Sequence, residues 1–154
     1  MLPLFIALSL AFSDQVTKYL IQRNFALHDY ITIVPGVFDL RYIQNTGAAW
    51  GMFAGGHLWL ALLSVVMLLL MVIFRKSFLS GSLIDRICLG CIAGGIVGNL
   101  IDRIRLQYVV DFLNFYYKTH HFPAFNIADS AICVGVGLYA VSQFMTARRQ
   151  VASN

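Results

Sequence analysis

From His57 to Phe74 the chain reads HLWLALLSVVMLLLMVIF, without a single charged residue. A helix crossing the bilayer needs about 20 mainly apolar residues, within a range of about 17–25. This run fits that range, and a soluble fold could bury such a helix only by surrounding it completely. The rest of the chain offers no soluble shell. Only 12% of its 154 residues are charged and 59% are hydrophobic, whereas soluble domains carry about 25% charged residues. Two further runs, 84–101 and 127–144, are also mainly apolar. A fourth, 1–21, is apolar until it meets Asp14 and Lys18. No Lys or Arg precedes Lys18 and no A-x-A follows the apolar stretch, so this segment reads as a retained helix rather than a signal peptide. The expectation is one integral membrane domain over 1–154, an all-α bundle of four transmembrane helices.

The connections differ in character. Residues 22–56 form a long loop in which YITIV and VFDLRYI flank Pro35-Gly36. Phe38, Leu40 and Tyr42 alternate with Asp39 and Arg41, a hairpin signature that predicts a small β-sheet at the membrane surface. The loop between spans two and three is short and basic, with Arg75, Lys76 and, just beyond, Arg86. Lys and Arg counted on the two sides of four spans tie at five each. Their density between spans two and three favours both termini in the cytoplasm. The loop before span four is rich in aromatics, from Tyr108 to Phe125, as headgroup-level segments are.

Several readings fall away. The net charge of +4 is scattered between apolar blocks and forms no stripe, so nucleic-acid binding is not expected. Cys88 and Cys91 lie at helical spacing inside an apolar run and, with Cys133, read as buried free thiols, there being no second pair for zinc. His120 and His121 are adjacent and read as interfacial residues. Gly90, Gly94 and Gly98 make overlapping GxxxG pairs, and Ala131 and Gly135 repeat the spacing, which predicts close helix packing.

A charge at mid-bilayer costs about 2.5–3.5 kcal/mol on insertion scales, yet charges persist here. Asp14 and Lys18 stand i,i+4 and can pair across one helix turn. Asn99, Asp102 and Arg103 share one face at the end of span three, and Asn99 is expensive to bury without a partner. The Arg103 fork is expected to hold a carboxylate or backbone carbonyls through hydrogen bonds. Asn126 and Asp129 open span four, and Asp111 lies in the loop just before. In an up-and-down bundle all these groups meet at one depth. All seven acidic residues of the chain are Asp, so carboxylate chemistry here uses Asp. Two close carboxyls in a poorly solvated site share one proton, giving a base for water and an acid for a scissile carbonyl. A zinc HExxH motif is impossible without Glu, and Lys18 is the one embedded Lys available to a Ser–Lys dyad with Ser13 or Ser130, a pairing the spacing does not favour. A proton-coupled transporter or a structural assembly protein would also keep intramembrane Asp residues, but four spans without an internal repeat fit a transporter poorly.

Five blocks carry a family resemblance: DQVTK (Asp14 to Lys18), NTGAAWG (Asn45 to Gly51), GNLIDR (Gly98 to Arg103), VVDF (Val109 to Phe112) and FNIADS (Phe125 to Ser130). In that order they resemble the bacterial lipoprotein signal peptidases, signal peptidase II. One departure is Trp50, where Phe is usual. The resemblance implies four spans in the bacterial cytoplasmic (inner) membrane, both termini in the cytoplasm, and a site near the outer face beside a surface sheet. It implies an aspartyl endopeptidase, without cofactor or metal and acting as a monomer among membrane lipids. The substrate would be a diacylated prolipoprotein, cut just before its lipidated Cys. Asp111 and Asp129 match the catalytic pair. Asp14, Asn45, Asn99, Arg103 and Asn126 match positions that shape the site or hold the substrate, Gly47 and Ala48 leave room for a ligand backbone to approach, and Lys18, Asp102 and Ala128 are expected in the same site.

Overall fold

The computed structural model describes residues 1–47, 52–53, 55–76 and 82–153. Helix α1 (Leu2–Asn24) starts with a proline in its first turn, where the missing N–H would be unbonded anyway. Its buried residues are Ala11, Asp14, Lys18 and Ile21, one stripe of a helix, while Leu4, Phe5, Leu8 and Phe12 face outward. A polar inner stripe under an apolar outer surface is the inverse of a soluble helix and suits lipid. Helix α2 (His57–Ile73) has no buried residue at all. Helix α3 (Leu83–Leu106) is the most enclosed and packs against α1, α2 and α4 (Ile127–Ser153).

The helices run past the expected spans at their ends, α3 to Leu106 and α4 to Ser153. Three of them, α1, α3 and α4, are long and apolar enough to cross a membrane, and α2 is a shorter apolar helix. The expected small-residue packing is present. A Cβ added to Gly94 would lie 2.7 Å from the Ala7 carbonyl oxygen, and one added to Gly98 would lie 2.7 Å from Asp14 Oδ2. Gly95 abuts the Ala128 carbonyl in the same way. One helix thus brings its backbone against two neighbours, and Gly98 leaves room for the Asp14 carboxyl. The thiols divide, contrary to the expectation that all three are buried. Cys88 is buried, Cys91 is half-buried and Cys133 is exposed on α4.

The hairpin forms where Pro35-Gly36 predicts it. Strands β1 (Tyr30–Val34) and β2 (Phe38–Asn45) pair antiparallel, with Tyr30 opposite Arg41. The sheet is larger than expected. The aromatic segment read as loop forms β3 (Val109–Tyr117) and, after a turn, β4 (His120–His121), giving the order β1-β2-β3-β4. Asp111 therefore sits in a strand. The sequence VVDFLNFYY is rich in the β-branched and aromatic residues that favour strands, and β2 supplies the partner it needs. The end of α3 starts this strand. Gln107 takes the left-handed conformation (φ 67°), and Asp102 Oδ2 accepts a hydrogen bond from the Val110 backbone N–H at 3.0 Å. Ile21, Tyr42, Val110 and Phe112 form the small core that joins the sheet to the end of α1.

Candidate active site

The polar residues collect where the end of α1, the end of α3, the start of α4 and strands β2 and β3 meet. Lys18 lies at the centre, 1% exposed. Its Nζ bonds Asp14 Oδ2 at 2.8 Å, Asp102 Oδ2 at 3.0 Å and Asn99 Oδ1 at 2.9 Å. An ammonium has three donors, and each has an acceptor here. The i,i+4 pair expected within α1 is thus half of a larger arrangement, and its second carboxylate comes from α3. Asp14 also reaches across the bundle, where its Oδ1 accepts from the Ala128 N–H at 2.9 Å. That amide belongs to the first turn of α4 and has no intrahelical partner.

Asn126 caps α4. Its Oδ1 accepts from the Asp129 N–H at 2.9 Å, and Asp129 Oδ2 accepts from the Asn126 N–H at 3.2 Å, a reciprocal capping box. The Asn126 amide nitrogen then turns to Asp111 Oδ1 at 2.8 Å. One residue bridges both carboxyls. Each carboxyl has a further amide donor: Asn45 gives Nδ2 to Asp111 Oδ2 at 2.9 Å, and Asn99 gives Nδ2 to Asp129 Oδ1 at 2.7 Å. Gly47 closes the Asn45 side by donating its N–H to Asn45 Oδ1 at 2.9 Å. Burial, and then the negative charge of Asp129, raise the Asp111 carboxyl from its ordinary value of 3.8 to about 7. Near neutral pH this pair can hold a proton.

Both carboxyls line a cavity of about 580 Å³, together with Asn45, Gly47, Asn99 and Arg103. Its other walls are apolar or small: Ile96 on α3, Ile132 and Cys133 on α4, and Phe122 to Phe125 after β4, with Ser64 of α2 opposite. Asp14, Lys18, Asp102, Asn126 and Ala128 stand behind this wall and support it. Ala48 lies outside the described residues. Arg103 departs from expectation. Among the described residues it makes no hydrogen bond. It lines the cavity and acts on Asp129, Asp111 and Asp102 through its charge.

Sequence reasoning missed Gln15, whose Nε2 donates to Asp102 Oδ1 at 2.8 Å and to the Gly98 carbonyl at 3.1 Å. Its position beside Asp14 was the available signal, since an amide next to an intramembrane carboxylate also needs a partner. Nothing local marks Ser64 or Ile132 as cavity wall, because only the packing of α2 and α4 brings them there.

Apolar helices around a cavity that holds two amide-tethered carboxyls, Asp111 buried and Asp129 half-buried, define the class, a membrane aspartic peptidase. Comparison with known proteins narrows it. The family model described as signal peptidase (SPase) II matches residues 6–145. The chain is 43% identical to the lipoprotein signal peptidase of Geobacter metallireducens over 92% of its own length and 89% of the other's. It is 40% identical to that of Symbiobacterium thermophilum over 99% and 100%. A solved bacterial membrane enzyme superposes with a TM-score of 0.85 at 30% identity, covering 94% of this chain and 88% of that one. The chain belongs to the signal peptidase II family.

Proposed function

We propose that this protein removes the signal peptide from diacylglyceryl-modified prolipoproteins by cutting just before the lipidated Cys, with Asp111 and Asp129 as its catalytic pair. The observation that carries this reading is the pair of carboxyls held by one bridging residue, Asn126, on the wall of the cavity. With one proton between them, the ionised carboxyl takes a proton from a water as its oxygen attacks the scissile carbonyl carbon. The protonated carboxyl donates to the carbonyl oxygen. The resulting gem-diol collapses, the C–N bond breaks, and the departing amine takes up a proton from the pair. This route needs neither a metal nor a covalent intermediate.

Arg103 on the cavity wall supplies donors for backbone carbonyls of the substrate, and Asn45 and Gly47 close the side next to Asp111. A diacylated substrate keeps its tails in the bilayer, so the cavity must open to lipid. The apolar walls formed by Ile96, Ile132 and Phe122 and the exposed apolar face of the sheet at Ile31 and Phe115 support such an opening. In this reading α2 is a fourth span. Its 17 residues lie at the short limit of about 17–25 for a spanning helix, and Arg75 and Lys76 follow it as flanking charges. The sheet and the site face the outer side of the bacterial cytoplasmic membrane and both termini face the cytoplasm. One chain supplies every polar partner named in the site, which suits a monomer.

The test is a cleavage assay on purified protein with a lipobox peptide, with and without its diacylglycerol. Mass spectrometry should find one cut, immediately before the modified Cys, and a very low rate for the bare peptide. Failure to cut the lipidated peptide would overturn the activity. Equal rates for both peptides would overturn the lipid requirement alone.

A further inference from the structure

The two carboxyls of the proposed pair differ in what stands behind them. The orientations of the three amides around them are forced. Lys18 Nζ can only donate, so it must meet the oxygen of Asn99 and leaves the Asn99 NH₂ facing Asp129. The Asp129 backbone N–H meets the oxygen of Asn126 and leaves its NH₂ facing Asp111. The Gly47 N–H fixes Asn45 in the same way. Asp129 therefore sits one amide away from a buried ammonium. It also lies in the first turn of α4, where the helix end is positive, and accepts the Asn126 backbone N–H. Asp111 has two neutral amide donors, lies in a strand, and has no helix end behind it. The charged groups facing this cluster are Asp14 and Lys18 from α1, Asp102 and Arg103 from α3, Asp111 from β3 and Asp129 from α4.

The geometry points to Lys18 as a positioning residue that, through the oriented amide of Asn99, makes Asp129 the ionised general base and leaves the shared proton on Asp111. This rests on the dyad reading above. Lys18 does not line the cavity and acts only through its partners. The Asn99 oxygen accepts from both Lys18 and Asn126 (3.2 Å), so its amide is held from two sides. In the resting enzyme the proton on Asp111 is the one donated to the scissile carbonyl, and Asp129 takes the proton from water. The two carboxyls exchange roles as the diol breaks down. The negative charge of Asp129, which with burial raises Asp111 to about 7, agrees with this placement.

Lys18→Met alone would strand two buried carboxylates, so the test pairs it with Asp102→Asn and keeps Lys18→Arg as a charge-retaining control. The readout is the pH profile of kcat on the diacylated lipobox peptide, with KM measured at each pH. In the double variant the acid limb, where the base gains its proton, should move to higher pH by about one unit, a tenfold loss at the foot of that limb. The alkaline limb and KM should stay in place. Lys18→Arg should keep the wild-type limb. A uniform fall in rate with both limbs unmoved would reduce Lys18 to a structural role and overturn the proposal. A shift of the alkaline limb alone would reverse the proton assignment. A second measurement does not depend on the double variant folding. Infrared difference spectra of the dyad variants near pH 5 should lose the protonated-carboxyl band in Asp111→Asn and keep it in Asp129→Asn, and the opposite pattern would overturn the assignment. Full turnover by Asp111→Asn or Asp129→Asn would instead overturn the dyad itself, a separate outcome.

Discussion

The two ends of the α3–α4 pair each bury a carboxylate, and they use it differently. At the start of α3, Asp85 is 5% exposed. It completes a capping box with Ser82 and accepts from Ser142 Oγ at 2.8 Å and Gln143 Nε2 at 3.3 Å on α4. All of its partners are neutral donors, and it is not among the residues that line the cavity. At the opposite end Asp14, Asp102, Asp111 and Asp129 crowd around Lys18 and three asparagines, and two of them open on a cavity. A lone, fully bonded Asp ties two helices together. Crowded carboxyls that face space can exchange protons. Burial of an acid in a membrane bundle therefore does not mark chemistry, whereas a second acid and a cavity beside it do.

The sharpest way to break this contrast is to neutralise each acid. Asp111→Asn and Asp129→Asn should each lower kcat at least about a hundredfold, as loss of a general acid or base does, with the helical circular dichroism signal kept. Asp85→Asn should leave turnover within about twofold, since its replacement perturbs only a helix cap and an interhelical tie. Comparable losses at both ends would erase the distinction.

A second test concerns stability. Asp14→Ala removes an ion pair from Lys18 and the acceptor for the Ala128 N–H. Breaking a buried pair costs about 3–5 kcal/mol, so thermal unfolding in detergent should show a large drop in Tm. Asp85→Ala loses a cap and neutral hydrogen bonds, with an expected cost of about 1–2 kcal/mol. A larger drop for Asp85→Ala than for Asp14→Ala would place the structural weight at the wrong end.

The smallest effect should appear in pH dependence. Asp111 holds its proton up to about pH 7 in the folded protein, against 3.8 as its ordinary value. The stability from that proton is complete below about pH 4 and is lost as pH rises through about 7. Replacing Asp111 with Asn should therefore flatten the decline of Tm between pH 4.5 and 8, and turnover of the wild type should fall above about pH 7. Replacing Asp85 should leave that decline as it is. A wild-type Tm that rises across this window would contradict the burial of a proton at Asp111.

Much of this was legible beforehand for a local reason. Apolar length needs only neighbouring residues, so all four helices could be placed, although α3 and α4 run past their expected ends. Pro35-Gly36 marked the hairpin between β1 and β2. The i,i+4 spacing announced the contact of Asp14 with Lys18, and the family blocks singled out Asp111 and Asp129. Strand β3 was not legible, because its aromatics suit a membrane-interface loop as well as a strand and only pairing with β2 decides between them. Gln15 and the exposure of Cys133 depend on helix rotation, which a run of apolar residues does not specify.

The sequence by itself determined that the chain lies in lipid, which segments are helical and which polar residues need partners. Only the tertiary structure decided who those partners are. Lys18 finds Asn99 81 positions away, and Asp14 finds the Ala128 amide 114 positions away. Asn126 turns one face to its own helix and the other to Asp111. The physical reason is that hydrophobic length acts locally along the chain. A buried hydrogen bond depends on distances of about 3 Å between segments, and these are set only when the glycine faces of α3 let α1 and α4 close on it.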